Sequence, residues 1–426
     1  MITLVVFSKR VGPIRGRHPW VFSGALKNIP DGLASGTPVK LVDENNHFLA
    51  QGYFNSYSQI AVRLWSWVED EDINEDFFIR RIELANDLRV NYIASKKTDS
   101  YRLINSENDL LPGLIVDKYA DYLSVQFHTI GMEQWKDQIV SALVKILKPK
   151  GIYERSDAKK LSREKDSGIV VPKTEENNLL YGKMPDKIII LENGLKFYVD
   201  IKGGQKTGFF LDQREKRQAL MKYVKDKNVL NCFSYTGGFS VYALAGGANK
   251  VVSVDVSEPA LELARQNVEL NGFDLKKCEF IAEDVKRYLQ DLGDTKYERY
   301  ENTKDNETKI KQKFNKNLKE IEKIDVIILD PPAFVKDRKK IREGLLGYRR
   351  INEQALQILP PDGILVSASC SAHVSLDDFR FMLSESAGHT GRTLQILETY
   401  IHGIDHPELV AFMEGEYLKC VFGRVI

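Results

Sequence analysis

Apolar and polar positions along this chain follow three successive patterns. Over the first seventy residues, short apolar runs alternate with turn residues. Val39-Lys40-Leu41-Val42, Phe48-Leu49-Ala50 and Gln59-Ile60-Ala61-Val62-Arg63-Leu64 read as strands, with Asp43-Glu44-Asn45-Asn46 as a turn. Met1 to Phe7 reads as a first strand. Its basic residues, Lys9 and Arg10, follow the apolar start instead of preceding it, which argues against a signal peptide. Residues 69–76 hold six carboxylates in eight positions and mark a boundary. Beyond it, Phe78, Ile82, Ala85 and Leu88 recur at helical spacing over 77–92. Strand-like runs at 114–117 and 122–126, a helix around 134–147 (Ile139, Leu143, Ile146) and a strand at 151–154 complete a compact α+β segment.

From about residue 188 the pattern becomes strand–helix alternation, which predicts a parallel sheet with helical crossovers. Strands are expected at 229–231, 251–255, 279–281, 325–329 and 364–367. Helices are expected around 213–225, 239–246, 258–271 and 343–358. Residues 294–323 interrupt this with mixed charges and almost no apolar periodicity, as a solvated surface insertion would. The predicted fold is α/β. A Rossmann-like domain over 188–426 is preceded by a β-rich module over 1–74 and a central α+β domain over 75–187.

Composition narrows the partners. At 426 residues, 43% apolar and 28% charged, the chain is long enough for two or three globular domains. It has no run of eighteen apolar residues, so no membrane span is expected. The net charge is +1, so any nucleic-acid site must be a local patch. Cys232, Cys278, Cys370 and Cys420 form no zinc-type spacing, which points to reduced thiols and a cytoplasmic protein. His402 and His406 lack the intervening glutamate of a zinc protease and are flanked by Gly403 and Pro407, so no metal is expected.

The candidate chemistry lies at the ends of the predicted strands, where open α/β sheets bind ligands. Asn231-Cys232-Phe233-Ser234-Tyr235-Thr236-Gly237-Gly238 follows the first core strand and opens a helix. Glycines there let a ligand approach the backbone. Asp255, eighteen residues after Gly237, ends the next strand and can accept both ribose hydroxyls of a nucleoside. With two adjacent glycines and no three-glycine fingerprint, a nucleoside without phosphates fits better than a dinucleotide, and S-adenosylmethionine is such a ligand. Asp284 either accepts from an adenine amino group or caps a helix. Residues 206–214 form either a lid of exposed aromatics with Gln213 and Arg214 or a hydrophobic staple.

Two further segments carry reacting groups: Asp330-Pro331-Pro332-Ala333-Phe334 and Ser369-Cys370-Ser371, each after an apolar strand. A thiolate adding at position six of cytosine turns position five into a nucleophile, and an acid near ring nitrogen three assists. Cys370 is the candidate nucleophile and Asp330 its partner. A free thiol titrates near ~8.5, so the site must lower that value, through Lys206 or a helix N-terminus.

Together these residues resemble the class I S-adenosylmethionine-dependent methyltransferases. More narrowly, they resemble the bacterial 23S ribosomal RNA cytosine-5 methyltransferases of the large-subunit methyltransferase I family. The resemblance runs nearly end to end. Residues 18–25 and 58–63 are similar to that family's N-terminal RNA-binding PUA domain, and 111–119 to its central domain. Residues 206–214, 231–238, 330–334 and 369–371 are similar to its catalytic domain, and 405–407 and 414–419 to its closing segment. It implies S-adenosylmethionine lined by Thr207, Phe210, Gln213, Asn231, Phe233, Ser234, Tyr235, Gly237, Asp255, Ser257, Asp284 and Asp330. It also implies Cys370 as nucleophile and 23S ribosomal RNA as partner. The chain departs from the family at Ala333, where lysine is usual, and in the length of 294–323. Oligomeric state, including a homodimer, is left open.

Basic patches can supply RNA contacts. Residues 336–350 hold seven Lys or Arg against two acids, and Lys9, Arg10, Arg15 and Arg17 adjoin Trp20 and Phe22, while a third cluster, Lys159, Lys160, Arg163 and Lys165, reads instead as a solvated face. Two rival readings stand beside the cytosine reaction: methylation of a purine ring or exocyclic nitrogen, and a noncatalytic RNA-binding assembly factor.

Overall fold

The computed structural model describes residues 1–156, 178–204, 207–302 and 323–426. Lys206, the basic cluster at 159–165 and most of segment 294–323 lie outside them. The chain divides into two compact units. The first comprises Met1–Gly194, Tyr198–Asp212 and Gly403–Gly415. The second comprises Leu195–Phe197, Gln213–His402 and Glu416–Ile426.

In the first unit, β1 (Ile2–Val5), β2 (Trp20–Phe22), β3 (Pro38–Val42), β4 (Phe48–Phe54) and β5 (Ile60–Ser66) form a sheet ordered β1-β3-β4-β5-β2. β4 and β5 are buried along almost their whole length. Strand pleating sends neighbouring side chains to opposite faces. Phe54 and Leu64 enter one core with Leu4, Leu41 and Val62. Tyr53 and Trp65 enter another with Phe77, Phe78, Leu103 and Phe127. This shared aromatic cluster joins the β-rich module to the α+β segment in one unit.

That segment holds α1 (Glu75–Tyr92) and α2 (Lys136–Leu147) against a sheet ordered β10-β9-β8-β7-β6. Its strands are β6 (Tyr101–Asn105), β7 (Leu114–Tyr119), β8 (Tyr122–Phe127), β9 (Gly151–Glu154) and β10 (Leu179–Gly182). Asn74 ends the acidic stretch by capping α1, its Oδ1 accepting from the Phe77 N–H at 3.0 Å. β11 (Ile188–Glu192) and β12 (Leu195–Val199) form a separate two-stranded sheet.

The second unit is built on seven strands: β13 (Asn228–Cys232), β14 (Lys250–Asp255), β15 (Cys278–Ala282), β16 (Val326–Leu329), β17 (Ile364–Ser369), β18 (Leu394–Tyr400) and β19 (Lys419–Val425). Their order is β15-β14-β13-β16-β17-β19-β18. The first five are parallel, and β19 inserts antiparallel between β17 and β18. β16 and β17 are buried at every residue, as parallel strands covered on both faces must be. The helices are α3 (Arg214–Leu220), α4 (Gly238–Ala245), α5 (Glu258–Leu270), α6 (Val285–Asn302), α7 (Ile341–Ile358) and α8 (Leu376–His389). A capping box, Ser375 with Asp378, starts α8. One expectation changes. α6 runs to Asn302, well past the start of the segment read as a solvated insertion. Lys, Glu and Arg sustain a helix by propensity, without an apolar stripe.

An acid-sensitive cluster ties β18 to the turn after α3. Glu398 accepts from Tyr223 Oη, Tyr400 Oη and Lys222 Nζ, the last at 2.9 Å. Burial opposes its ionisation, but these donors outweigh burial and hold its carboxyl down to about 2. A folded-state value below the unfolded one gives stability that is present above about pH 4.5 and lost as pH falls toward 2. The double variant Tyr223→Phe/Tyr400→Phe should therefore lose less melting temperature than the parent between about pH 5.5 and about pH 3. Parallel losses in a thermal-unfolding series would remove Glu398 from the acid response.

Candidate active site

Every candidate group of the second unit except Asp284 sits at or near the carboxyl edge between β14 and β17. Chain order reverses at β13, with β14 on one side and β16 on the other, which places a ligand crevice at this point. Cys232 pairs with Leu329, so the turn after β13 and the Asp330 loop leave the sheet side by side.

The turn after β13 is strained. Phe233, Tyr235 and Gly237 have φ of 57°, 46° and 75°. Left-handed backbone at two non-glycine residues costs on the order of 1 kcal/mol each and persists only where surroundings enforce it. Here Ser234 N–H donates to Val254 O at 3.0 Å, Tyr235 N–H to Asp255 Oδ2 at 2.9 Å, and Gly237 N–H to Ser234 O at 2.9 Å. A β-carbon on Gly237 would lie 2.8 Å from Ala264 Cβ, so only glycine lets α5 pack this close. Asp255 Oδ1 accepts from Ser257 N–H at 3.0 Å, and Ser257 caps α5. Asn231 Nδ2 donates to Ser240 Oγ at 2.9 Å beneath the turn.

Three polar atoms here are buried without a hydrogen-bond partner: Asn231 Oδ1, Ser234 Oγ and Gln213 Oε1. A buried unmet acceptor costs about 1–3 kcal/mol, which a ligand with hydroxyl and amino donors relieves. Together with the Asp255 carboxylate, they fit the donor-rich ribose and amino acid ends of S-adenosylmethionine. Phe233, half-buried, packs on the adjacent core. Asp284 is exposed, and its Oδ1 accepts from Arg287 N–H at 3.0 Å in the first turn of α6, the helix-capping alternative. Thr207 and Phe210 belong to the first unit. The Thr207 hydroxyl is buried, donating to Asp117 Oδ2 at 2.5 Å and sharing a hydrogen bond with Tyr119 Oη at 3.0 Å, so it anchors its own loop. Phe210 is half-buried.

The reacting groups lie one strand further along. Gln213 Nε2 donates to Asp330 Oδ1 at 2.9 Å. β16 pairs with β17, Leu329 against Ser367, which brings Cys370 beside the Asp330 loop. Cys370 Sγ is 3.8 Å from Pro331 O and partly exposed. The neighbouring Ser371 locks both loops. Its Oγ accepts from Val335 N–H at 3.1 Å and shares a 2.9 Å hydrogen bond with Tyr348 Oη. The other thiols are less available. Cys232 and Cys420 are fully buried, and burial drives both well above the ordinary thiol range. Burial pushes Cys278 up to about 11.

Lys419, which the sequence does not single out as a site residue, also reaches the Cys370 loop. Only 1% exposed, it donates from Nζ to Ser371 O at 3.1 Å. Its signal was a lysine opening an apolar, buried run, Lys419-Cys420-Val421-Phe422. Among the described residues no group of three or more His, Cys, Asp or Glu is placed to hold a metal ion, and no helix is long and apolar enough to cross a membrane.

Strand order, crevice and unmet acceptors fit a doubly wound methyltransferase that uses S-adenosylmethionine, and comparison with known proteins agrees. Residues 173–300 match the family model for S-adenosylmethionine-dependent methyltransferases, and residues 4–67 that for a PUA-like domain. A ribosomal RNA large subunit methyltransferase I from Tolumonas auensis is 40% identical over 429 aligned residues, covering 100% of both chains. One from Aliivibrio fischeri is 39% identical over 426, again covering 100% of both. A solved putative methyltransferase from Streptococcus mutans is 26% identical over the full length of both chains, with a TM-score of 0.78. A putative methyltransferase complexed with SAH matches at 26% identity and a TM-score of 0.79, with 100% of both chains covered. The chain belongs to the ribosomal RNA large subunit methyltransferase I family.

Proposed function

We propose that this protein methylates carbon five of a cytosine in 23S ribosomal RNA, with Cys370 as nucleophile and Asp330 as its partner. The observation that carries the reading is the placement of the partly exposed Cys370 thiol, 3.8 Å from Pro331 O, on the strand end next to Asp330. The names of the full-length relatives support ribosomal RNA as substrate. S-adenosylmethionine, held by the 231–238 turn, Asp255, Ser257 and Gln213, supplies an electrophilic methyl group when bound. Cys370 adds to carbon six and makes carbon five nucleophilic, while Asp330 hydrogen-bonds at ring nitrogen three. Loss of the proton at carbon five then lets the thiolate leave. The purine-nitrogen alternative needs an aromatic free to stack on the base. Phe334 instead packs on Tyr348 at 4.7 Å between ring centroids, with Lys286 Nζ 5.0 Å from its own ring centroid.

In this reading residues 1–74 and 75–187 form RNA-binding and central modules, and 188–426 the catalytic one. Lys336, Arg338, Lys339, Lys340, Arg342 and Arg350 are exposed just after the Asp330 loop and would hold phosphates flanking a flipped base. In the N-terminal patch, Phe22 is 49% exposed and free to meet a base. Trp20 is committed: its indole N–H donates to Glu107 at 2.8 Å and its ring packs on Phe412.

RNA carrying 5-fluorocytosine at the target blocks proton loss at carbon five. It should trap the enzyme in a band that survives denaturation, and Cys370→Ser should give none. A band of equal intensity from the variant would refute the assignment.

A further inference from the structure

We propose that Lys419 is the positioning residue that keeps the Cys370 side chain a thiolate at neutral pH, an inference that rests on Cys370 being the nucleophile. Several groups near Cys370 disfavour negative charge on it. Asp330, at the end of β16, is a carboxylate on the same edge. Tyr348, on α7, is pushed up by burial and also by the charge of Cys370, so its hydroxyl and the thiol interact. Exposed His373 follows in the loop, and α8 begins only at Leu376, too far along the chain to offer its N-terminus directly to Cys370. A nearby cation favours the thiolate against these groups.

Two buried lysines of the second unit act on β19 or the Cys370 loop. Lys216 of α3 is 0% exposed and acts electrostatically on Cys420, as does Asp330. Lys419 is closer in the chain of contacts. β19 pairs with β17 so that Lys419 stands opposite Ser369, and its Nζ reaches Ser371 O at 3.1 Å. It therefore grips the backbone on both sides of Cys370 and brings an ammonium to the carbonyl of the very next residue. The antiparallel insertion of β19 next to β17 makes this possible.

The test is peptide-resolved alkylation of Cys370 by iodoacetamide across pH, on the full chain without RNA. The parent should reach half-maximal rate at or below about pH 7.5, against ~8.5 for a free thiol. Lys419→Gln keeps an N–H donor for Ser371 O and removes the charge. It should move that midpoint up by about one unit, leaving roughly tenfold less thiolate at pH 7. Lys419→Arg should restore the parent profile. Superimposed parent and Lys419→Gln profiles would overturn the proposal, as would equal displacement by both variants, which would mark a purely structural role. Should Lys419→Gln not fold by circular dichroism, a parent midpoint at or above ~8.5 overturns it unaided. Alkylation uses no base, so a low parent midpoint without a 5-fluorocytosine trap retires the cytosine reading alone. A trap with an unmoved Lys419→Gln profile retires Lys419 alone.

Discussion

Cys370→Ala is expected to lower single-turnover methyl transfer by roughly 10⁴-fold or more while leaving S-adenosylmethionine affinity within about twofold. In the proposed route, removing Cys370 forces carbon five to react without prior addition at carbon six, and no other cysteine is placed to substitute. Cys232 and Cys420 are fully buried, with thiols driven upward by burial, and Cys278 is held up near 11. Most of the groups assigned to the cofactor sit elsewhere on the edge, in the turn after β13 and at the end of β14. Calorimetry with the cofactor and a single-turnover assay on RNA separate the two effects. A variant within tenfold of the parent rate would end the case for a covalent route.

Arg89→Met should destabilise the first unit by about 3–5 kcal/mol, a fall in melting temperature of roughly 10 °C. Arg89 is 0% exposed in α1. All five of its N–H donors are used. Nη1 and Nη2 each donate to an oxygen of Asp109 at 2.7 Å, Nη1 also to Ala85 O at 3.3 Å, Nη2 also to Asp405 O at 2.9 Å, and Nε to Arg102 O at 2.9 Å. Methionine would fill the volume but leave the Asp109 carboxylate, 8% exposed, without its counter-charge. Lysine cannot reproduce the planar fork, so Arg89→Lys should recover only part of the loss. Thermal unfolding of the full chain reads the change. A loss under about 1 kcal/mol would show that water replaces the guanidinium.

Much of the second unit was legible because its signals are local. Val326-Ile327-Ile328-Leu329 and Ile364-Leu365-Val366 are apolar runs that only a doubly covered sheet accommodates, and both became strands buried at every residue. Glycine and small residues after β13, an acid ending β14, and a thiol after β17 each follow directly from strand ends. α6 is absent from the helices that periodicity predicts, because an apolar period detects buried faces and the later turns of α6 are rich in Lys, Arg and Glu.

What the sequence by itself determined was therefore the set of elements and the chemistry at their ends, since hydrophobic period, caps and turn residues act within a few positions. Only the tertiary structure decided which distant groups meet. It set Asp405 against Arg89 across 316 residues, moving Gly403–Gly415 into the first unit, and it committed Thr207 to Asp117. It also threaded β19 beside β17, carrying Lys419 to Ser371 across 48 residues. Such pairings arise from the register of whole strands and the satisfaction of buried donors, quantities that no local stretch of sequence contains.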